Sequence, residues 1–301
     1  MLIEAVESYL AVRRRAGFAL NRAETLLRRF AQFASARGET HVGATTAVDW
    51  ARLAPSPRER GRRLSIVTHF ARHARAENAR HEIPPSLSFG HHPDRRVPYL
   101  FSPTDIRRLL EAASCLGPPG SLRPSTYRTL FGLLWSTGLR ISEARALRTE
   151  DLSPDGLVIR ETKFRKSRLV PLHETAAVGL HRYLEQRLRV PDHDGHIFIS
   201  VYRRKLGPHV VGVVFRKLVR HLGLPVGDHR PRVHDLRHSF AARALLSCPR
   251  DRGNIGRHLL ALSTYMGHAN VASTYWYLHA TPELLGDIAS AVDAFMKGEG
   301  Q

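Results

Sequence analysis

The sequence predicts a mainly α-helical chain with a small β-sheet, arranged as two domains joined by a linker. Three observations predict it. Apolar residues recur at helical spacing through residues 1–82, with no strand signal among them. The stretch "EIPPSLSFGHHPDRRVPYLFSP" then breaks the pattern with prolines, which deny helix and favour extended backbone. Beyond it helical periodicity returns, interrupted by two β-branched runs, "GLVIRE" and "RLVPLH", on either side of "TKFRKS".

The elements follow in order. Leu2, Val6, Tyr9 and Leu10 lie on one helical stripe, and Leu26, Leu27, Phe30 and Phe33 on another. "VDWARLAPS" reads as a short helix stopped by Pro55 and Pro57, and "LSIVTHFARHARA" resumes with Leu64, Val67, Phe70 and Ala71. The expectation is a helical module of four or five helices over 1–82, a linker over 83–101, and a second domain over 102–301. Ser102 is the expected N-cap ahead of Asp105. "STYRTLFGLLWSTG" is an apolar helix ended by Gly138, and "RISEARALR" opens another. The two β-branched runs form a hairpin with a basic tip. Helices are expected near 174–189, 208–222, 234–246 and 255–266, and an amphipathic one at 282–296 carries Leu284, Leu285, Ile288, Val292 and Phe295.

With 43% hydrophobic residues the chain can bury real cores, so disorder is not the default. No apolar run approaches the roughly 20 residues that span a bilayer. The two cysteines, Cys115 and Cys248, have no metal-like spacing, which argues for a reduced, cytoplasmic compartment. The formal charge of +19 is the strongest global feature. It favours polyanions, nucleic acid above all, although an arginine-rich coding bias raises charge too.

Four features fall along the second domain: "TGLRISEARAL", "TKFRKSRLVPL", "HDLRHSF" and "MGHANVASTYWYLH". Taken singly, each has an ordinary structural explanation. Arg140 at a helix start and Lys163 in a polar turn fit solvated surface positions. His234 and Arg237, three residues apart, share a helical face as any surface pair does. Gly267 fits a C-cap glycine, with His268 near the helix dipole.

In this order, however, the four resemble the motifs of the tyrosine recombinases, or phage integrase family, across nearly the whole chain. "TGLRISEARAL" is similar to that family's first-arginine box, "HDLRH" to its His-x-x-Arg box, and "MGHANVASTYWYLH" to its Gly-His and tyrosine boxes. The resemblance implies a helical, SAM-like core-binding domain followed by an α+β catalytic domain of the DNA breaking-rejoining fold. It also implies a role for each matching position. Arg140 and Arg237 would clamp the scissile phosphate, with His234 and His268 donating to it. Lys163 would be the general acid toward the departing 5′ oxygen, Lys166 being its nearby competitor. Glu143 would support the first arginine. Tyr277, nine residues after His268, would be the nucleophile, leaving Tyr265, Tyr275 and Trp276 to packing.

These residue types suit the chemistry. Fixed cations stabilise charge accumulating on a phosphodiester under attack. A phenol with a pKa of about 10 is roughly one-thousandth ionised at neutral pH, and neighbouring cations raise that share. The resemblance further implies duplex DNA with specific recombination sites as partner, and assembly as a homotetramer or with related recombinases. The final helix would dock on a neighbouring subunit or cover its own core. No cofactor, metal, small-molecule ligand or membrane is expected, and the location expected is cytoplasmic and nucleoid-associated. A replicon-dimer resolvase, a type IB topoisomerase and a non-catalytic DNA-binding regulator are the alternatives. One departure from the family is a longer spacing before the Gly-His box, expected as a loop insertion near Pro249 to Gly253.

Overall fold

The structure, a computed structural model, describes residues 1–18, 20–87, 89, 96–160, 167–191, 195–247 and 252–267, the side chains of 228 and 252–255 apart. Two compact units are present, Met1–Arg95 and Arg96–Gln301.

The first unit contains α1 (Leu2–Arg15), α2 (Asn21–Ser35), α3 (Ala44–Arg52) and α4 (Pro57–Glu77). Its core holds the stripes read from the sequence: Leu2, Val6, Leu10, Leu27, Phe30, Val67 and Phe70 are buried, while Phe33 packs at the margin. Edge-on aromatic pairs join the helices, Tyr9 with Phe70 and Phe30 with Trp50, both at 5.5 Å. One boundary differs from expectation. Pro57 opens α4 instead of closing the preceding helix, because Ser56 Oγ accepts from the Glu59 N–H at 3.3 Å and proline suits the first helical position. At the end of the unit the buried His81 accepts the Val42 N–H on Nδ1 at 3.0 Å.

The second unit contains α5 (Pro103–Ser114), α6 (Arg123–Thr137), α7 (Ile141–Ala146), β1 (Leu152–Ser153), β2 (Gly156–Ile159), β3 (Arg168–Val170), α8 (Glu174–Arg187), α9 (Pro208–His221), α10 (Val233–Leu246) and α11 (Arg252–Met266). Ser102 caps α5 as expected, its Oγ accepting from the Asp105 N–H at 3.1 Å. Residues 96–101 pack with this unit: Phe101 is buried and its N–H donates to Ser239 Oγ at 2.8 Å. The sheet is antiparallel in the order β1-β2-β3, pairing Leu157 with Val170 and Ile159 with Arg168. The predicted hairpin is therefore present, and the two-residue β1 is an addition to it.

The first-arginine box and the His-x-x-Arg box sit on a continuous core of Leu130, Phe131, Leu134, Leu157, Val170, Phe215 and Leu236. A smaller cluster of Ala241, Leu245, Leu259, Leu262 and Met266 holds α11 against α10. Helix α11 begins at Arg252, three residues earlier than its periodicity predicts, so Arg252 and Gly253 are helical and not part of an inserted loop. What remains of the expected insertion, 249–251, lies outside the described residues, as do the basic hairpin tip 161–166 and everything after Gly267. No described helix is long and apolar enough to cross a membrane.

Candidate active site

Two helix ends build the centre of the site. Helix α6 stops at Gly138 and α11 at Gly267, both in the left-handed region with φ of 62° and 65°. Glycine adopts this conformation without steric cost and exposes the unpaired carbonyls of the last turn, which carry partial negative charge. At Gly138 space also demands it, since a Cβ would lie 2.3 Å from Cδ1 of Phe240.

Arg237, on α10, receives both ends. Its Nη1 donates to Gly138 O at 2.6 Å and its Nη2 to Met266 O at 2.7 Å. The side chain is only 2% exposed, among the most buried large residues in the protein. Burying a guanidinium is tolerable when carbonyl dipoles replace its hydration. The rest of "HDLRHSF" explains how the arginine gets there. Asp235 accepts the Arg232 N–H at 2.8 Å and caps α10, Leu236 enters the core, and Ser239 donates to Asp235 O. His234, one position before Asp235, is exposed, with its ring edge-on to the buried His238 at 4.6 Å.

Arg140 reaches the same turn from the other side. It occupies the N-cap of α7, and its Nη2 donates to Gly267 O at 2.7 Å, the carbonyl next to the one held by Arg237. Its Nη1 donates to Glu143 Oε1 at 2.7 Å and its backbone N–H to Oε2 at 2.9 Å. The side chain stays 28% exposed, so the cation faces solvent on one flank.

Glu143 also accepts Arg168, the first residue of β3, at 3.1 Å on Oε1 and 2.8 Å on Oε2. Burial alone pushes its carboxyl up. The Arg168 guanidinium, the Arg140 N–H and the Arg140 side chain outweigh that and hold it below the usual carboxylate range. Glu143 is thus an anion that two cations share. Arg168 was given no role from the sequence. A signal was present: the strand period of two puts it on the same face as the buried Val170, and an inward arginine needs an anion.

Of the sequence-predicted set, Arg140 and Arg237 converge on the Gly267 turn, Glu143 is bonded to Arg140, and His234 lies one helical turn from Arg237. Lys163 and its competitor Lys166 lie outside the described residues, as do His268, Tyr275, Trp276 and Tyr277. Tyr265 is described and agrees with a packing role. It stacks on Phe240 at 5.5 Å, and burial pushes its phenol up to about 12 despite the nearby Arg168 and Arg237. At that value roughly one molecule in 10⁵ is ionised at pH 7. Tyr265 is a poor nucleophile.

Comparison with known proteins supplies the context for this geometry. The description "Phage integrase family" matches residues 100–283. The protein y4rB of Sinorhizobium fredii, named as an integrase/recombinase, is 40% identical over 94% of this chain and 94% of its own. The tyrosine recombinase XerD of Xanthomonas campestris pv. campestris is 32% identical over 74% of this chain and 68% of its own. Among solved structures, the Tn1549 transposon integrase in complex with transposon right end DNA is similar with a TM-score of 0.64 at 18% identity, covering 96% of this chain and 99% of that one. XerH recombinase bound to palindromic difH substrate is similar with a TM-score of 0.62 at 17% identity, covering 90% and 77%. The family match over most of the second unit, and a relative that is 40% identical end to end, place the chain in the phage integrase family: it is a tyrosine recombinase, an enzyme of site-specific DNA recombination.

Proposed function

We propose that the protein cleaves and rejoins duplex DNA through a 3′-phosphotyrosyl intermediate, in the service of integrating or transposing a mobile element. The observation that carries the reading is the convergence of Arg140 and Arg237 on the consecutive carbonyls of Met266 and Gly267. That turn ends at Gly267, the residue before His268 in sequence, and both guanidinium groups are bonded to it.

Tyr277 attacks the scissile phosphorus as the phenolate, its proton having passed to solvent, and the P–O5′ bond breaks as the new P–O bond forms. Lys163 delivers a proton to the departing 5′ oxygen, while Arg140, Arg237, His234 and His268 stabilise the charge on the non-bridging oxygens. Glu143 keeps Arg140 aligned and remains an anion throughout. The phosphotyrosyl ester retains the energy of the broken diester. A 5′-hydroxyl from a partner strand reverses the step, displacing the tyrosine, so rejoining needs no ATP. Protein cations occupy the charge-neutralising role that a metal ion has in other phosphoryl-transfer sites.

The partner is double-stranded DNA carrying specific recombination sites, bound by a homotetramer or a mixed assembly with related recombinases. Residues 1–82 act as the core-binding domain and 102–301 as the catalytic domain. The likeness to a transposon integrase supports the mobile-element role. A suicide DNA duplex, nicked beside the crossover so that the released 5′ end diffuses away, tests the reaction. The wild-type chain and Tyr275→Phe accumulate a covalent adduct on the 3′ side, and Tyr277→Phe does not. An undiminished adduct in Tyr277→Phe overturns the assignment.

A further inference from the structure

From Gly195 to Gly227 the chain has six Lys or Arg residues and no Asp or Glu. Three of the six are consecutive, Arg203, Arg204 and Lys205, at the tip of a short hairpin closed by an antiparallel bridge between Ile199 and Lys205. The tip is firmly built. The Ser200 N–H donates to Arg204 O at 2.8 Å, the Arg203 N–H to Ser200 O at 2.9 Å, and the Tyr202 N–H to Ser200 Oγ at 3.3 Å. Beneath it Ile197, Phe198, Ile199 and Leu206 are buried. Two bonds tie this base to the catalytic scaffold: the Ile197 N–H to Leu147 O at 2.9 Å, and Arg145 Nε to Leu206 O at 2.5 Å. Arg145 lies on α7, five residues from Arg140, or about 7.5 Å along the helix axis.

The tip itself is presented to solvent. Tyr202 is 82% exposed, the most exposed of the large hydrophobic side chains among the described residues, so it contributes nothing to the core. Arg203 has φ of 58°, a backbone conformation that non-glycine residues avoid and that persists where the surroundings impose it. None of Arg203, Arg204 and Lys205 forms an ion pair with a described residue. Three adjacent like charges on a rigid turn repel one another, and a polyanion relieves that repulsion. A second copy of this chain, at net +19, is a poor acidic partner. A nucleic-acid backbone is a good one.

We infer that the Val201–Lys205 hairpin tip is a second docking point for the DNA duplex, separate from the phosphate clamp and indifferent to sequence. Arg203, Arg204 and Lys205 engage phosphate oxygens, and Tyr202 lays its ring on the sugar–phosphate surface. The link through Arg145 fixes the distance between this contact and Arg140, so the tip sets the register of the duplex at the clamp. The inference rests on the reading of the chain as a DNA strand-exchange enzyme.

The test measures binding of the full chain to a labelled duplex of arbitrary sequence as salt is raised. Wild type, the combined Arg203→Ser, Arg204→Ser, Lys205→Ser variant, and a control combining Arg107→Ser, Arg182→Ser and Arg189→Ser are compared at matched thermal stability. Each phosphate contact contributes about 0.9 to the slope of log K against log salt, so the tip variant should be shallower by about 2 to 3. Arg204→Ser alone should lose about 1, and the control should keep the wild-type slope. A tip variant with the wild-type slope overturns the inference. So does unchanged duplex binding accompanied by loss of self-association in ultracentrifugation, which makes the tip a protein contact. Failure of the wild type itself to bind duplex is a different outcome, because it sinks the DNA reading from which the inference starts.

Discussion

Arg168 and Glu143 form a forked ion pair, two N–H donors to two carboxylate oxygens at 3.1 and 2.8 Å, and Arg140 is bonded to the same carboxylate. The consequence is mechanical. The hairpin that carries the expected general acid and the helix that carries the first arginine share one anion, so neither moves without the other.

Replacing the charge tests this directly. Glu143→Gln keeps the shape but leaves two largely buried guanidinium groups facing a neutral amide. Breaking a buried pair by removing one charge costs about 3 kcal/mol, which the urea midpoint should report. Cleavage should fall as well, because Arg140 loses its fixed orientation. Arg168→Lys, which cannot fork, should lower the cleavage rate while lowering the urea midpoint less than Glu143→Gln does. The pH dependence has a defined sign. The folded-state pKa of Glu143 is below its unfolded value, so its contribution to stability is fully present above the unfolded pKa of about 4.3 and is lost as pH falls through the folded value. In Glu143→Gln that component of acid unfolding should vanish.

The two cap glycines should fail differently. Gly138→Ala places a Cβ 2.3 Å from the Phe240 ring, which overpacks the interior and costs about 2 kcal/mol in thermal unfolding. Gly267→Ala meets Arg168 Nη1 at 3.1 Å and Arg140 Nη1 at 3.4 Å, the movable ends of side chains. The left-handed backbone costs about 1 kcal/mol there, but the arginines are displaced. Adduct formation in Gly267→Ala should therefore drop by more than its stability loss explains.

Arg237 mixes structure with chemistry. Arg237→Ala strands the carbonyls of Gly138 and Met266 in a dry site, at about 1 to 3 kcal/mol each. Arg237→Lys keeps the charge but cannot span both. Both variants should lose stability and cleavage together, whereas His234→Ala, at an exposed position, should lower cleavage with little change in thermal midpoint.

His81 makes the first unit acid-sensitive. Burial, then the neighbouring His41 and Arg80, lower its pKa, with Glu77 opposing. The unfolded chain therefore takes up a proton at about 6.5 while the folded one resists. Stability is fully present above that pH and declines as pH falls below it. Protonation also destroys the acceptor for the Val42 N–H. The protection factor of the Val42 amide in hydrogen exchange should fall between pH 7 and pH 5, and stay level across that range in His81→Asn.

Much of the fold was legible because periodicity is local. The buried stripes of α1, α2 and α4, the Ser102 cap, the Gly138 stop and the β2–β3 hairpin all follow from neighbours in sequence. Ser56-Pro57-Arg58-Glu59 carried a helix-start signature, yet two prolines invite the opposite reading, as a stop. Strand β1 has two residues, too few for any pattern. The motif residues were legible by resemblance alone. What sequence could not show is that two helix C-termini point their carbonyls at one buried arginine, because Gly138 and Met266 are 128 residues apart along the chain. Arg168 was legible in principle from strand alternation and was passed over as part of a run.

The central claim is that Tyr277 is the nucleophile at a phosphate held by Arg140 and Arg237. Mass spectrometry of the trapped suicide-substrate adduct tests it most directly. Trypsin releases residues 258–297 as one peptide, which holds Tyr265, Tyr275 and Tyr277, and fragmentation locates the modified ring. The account predicts a 3′-nucleotide on Tyr277 alone. A nucleotide on Tyr265 or Tyr275, or a DNA-linked peptide from elsewhere in the chain, would contradict it.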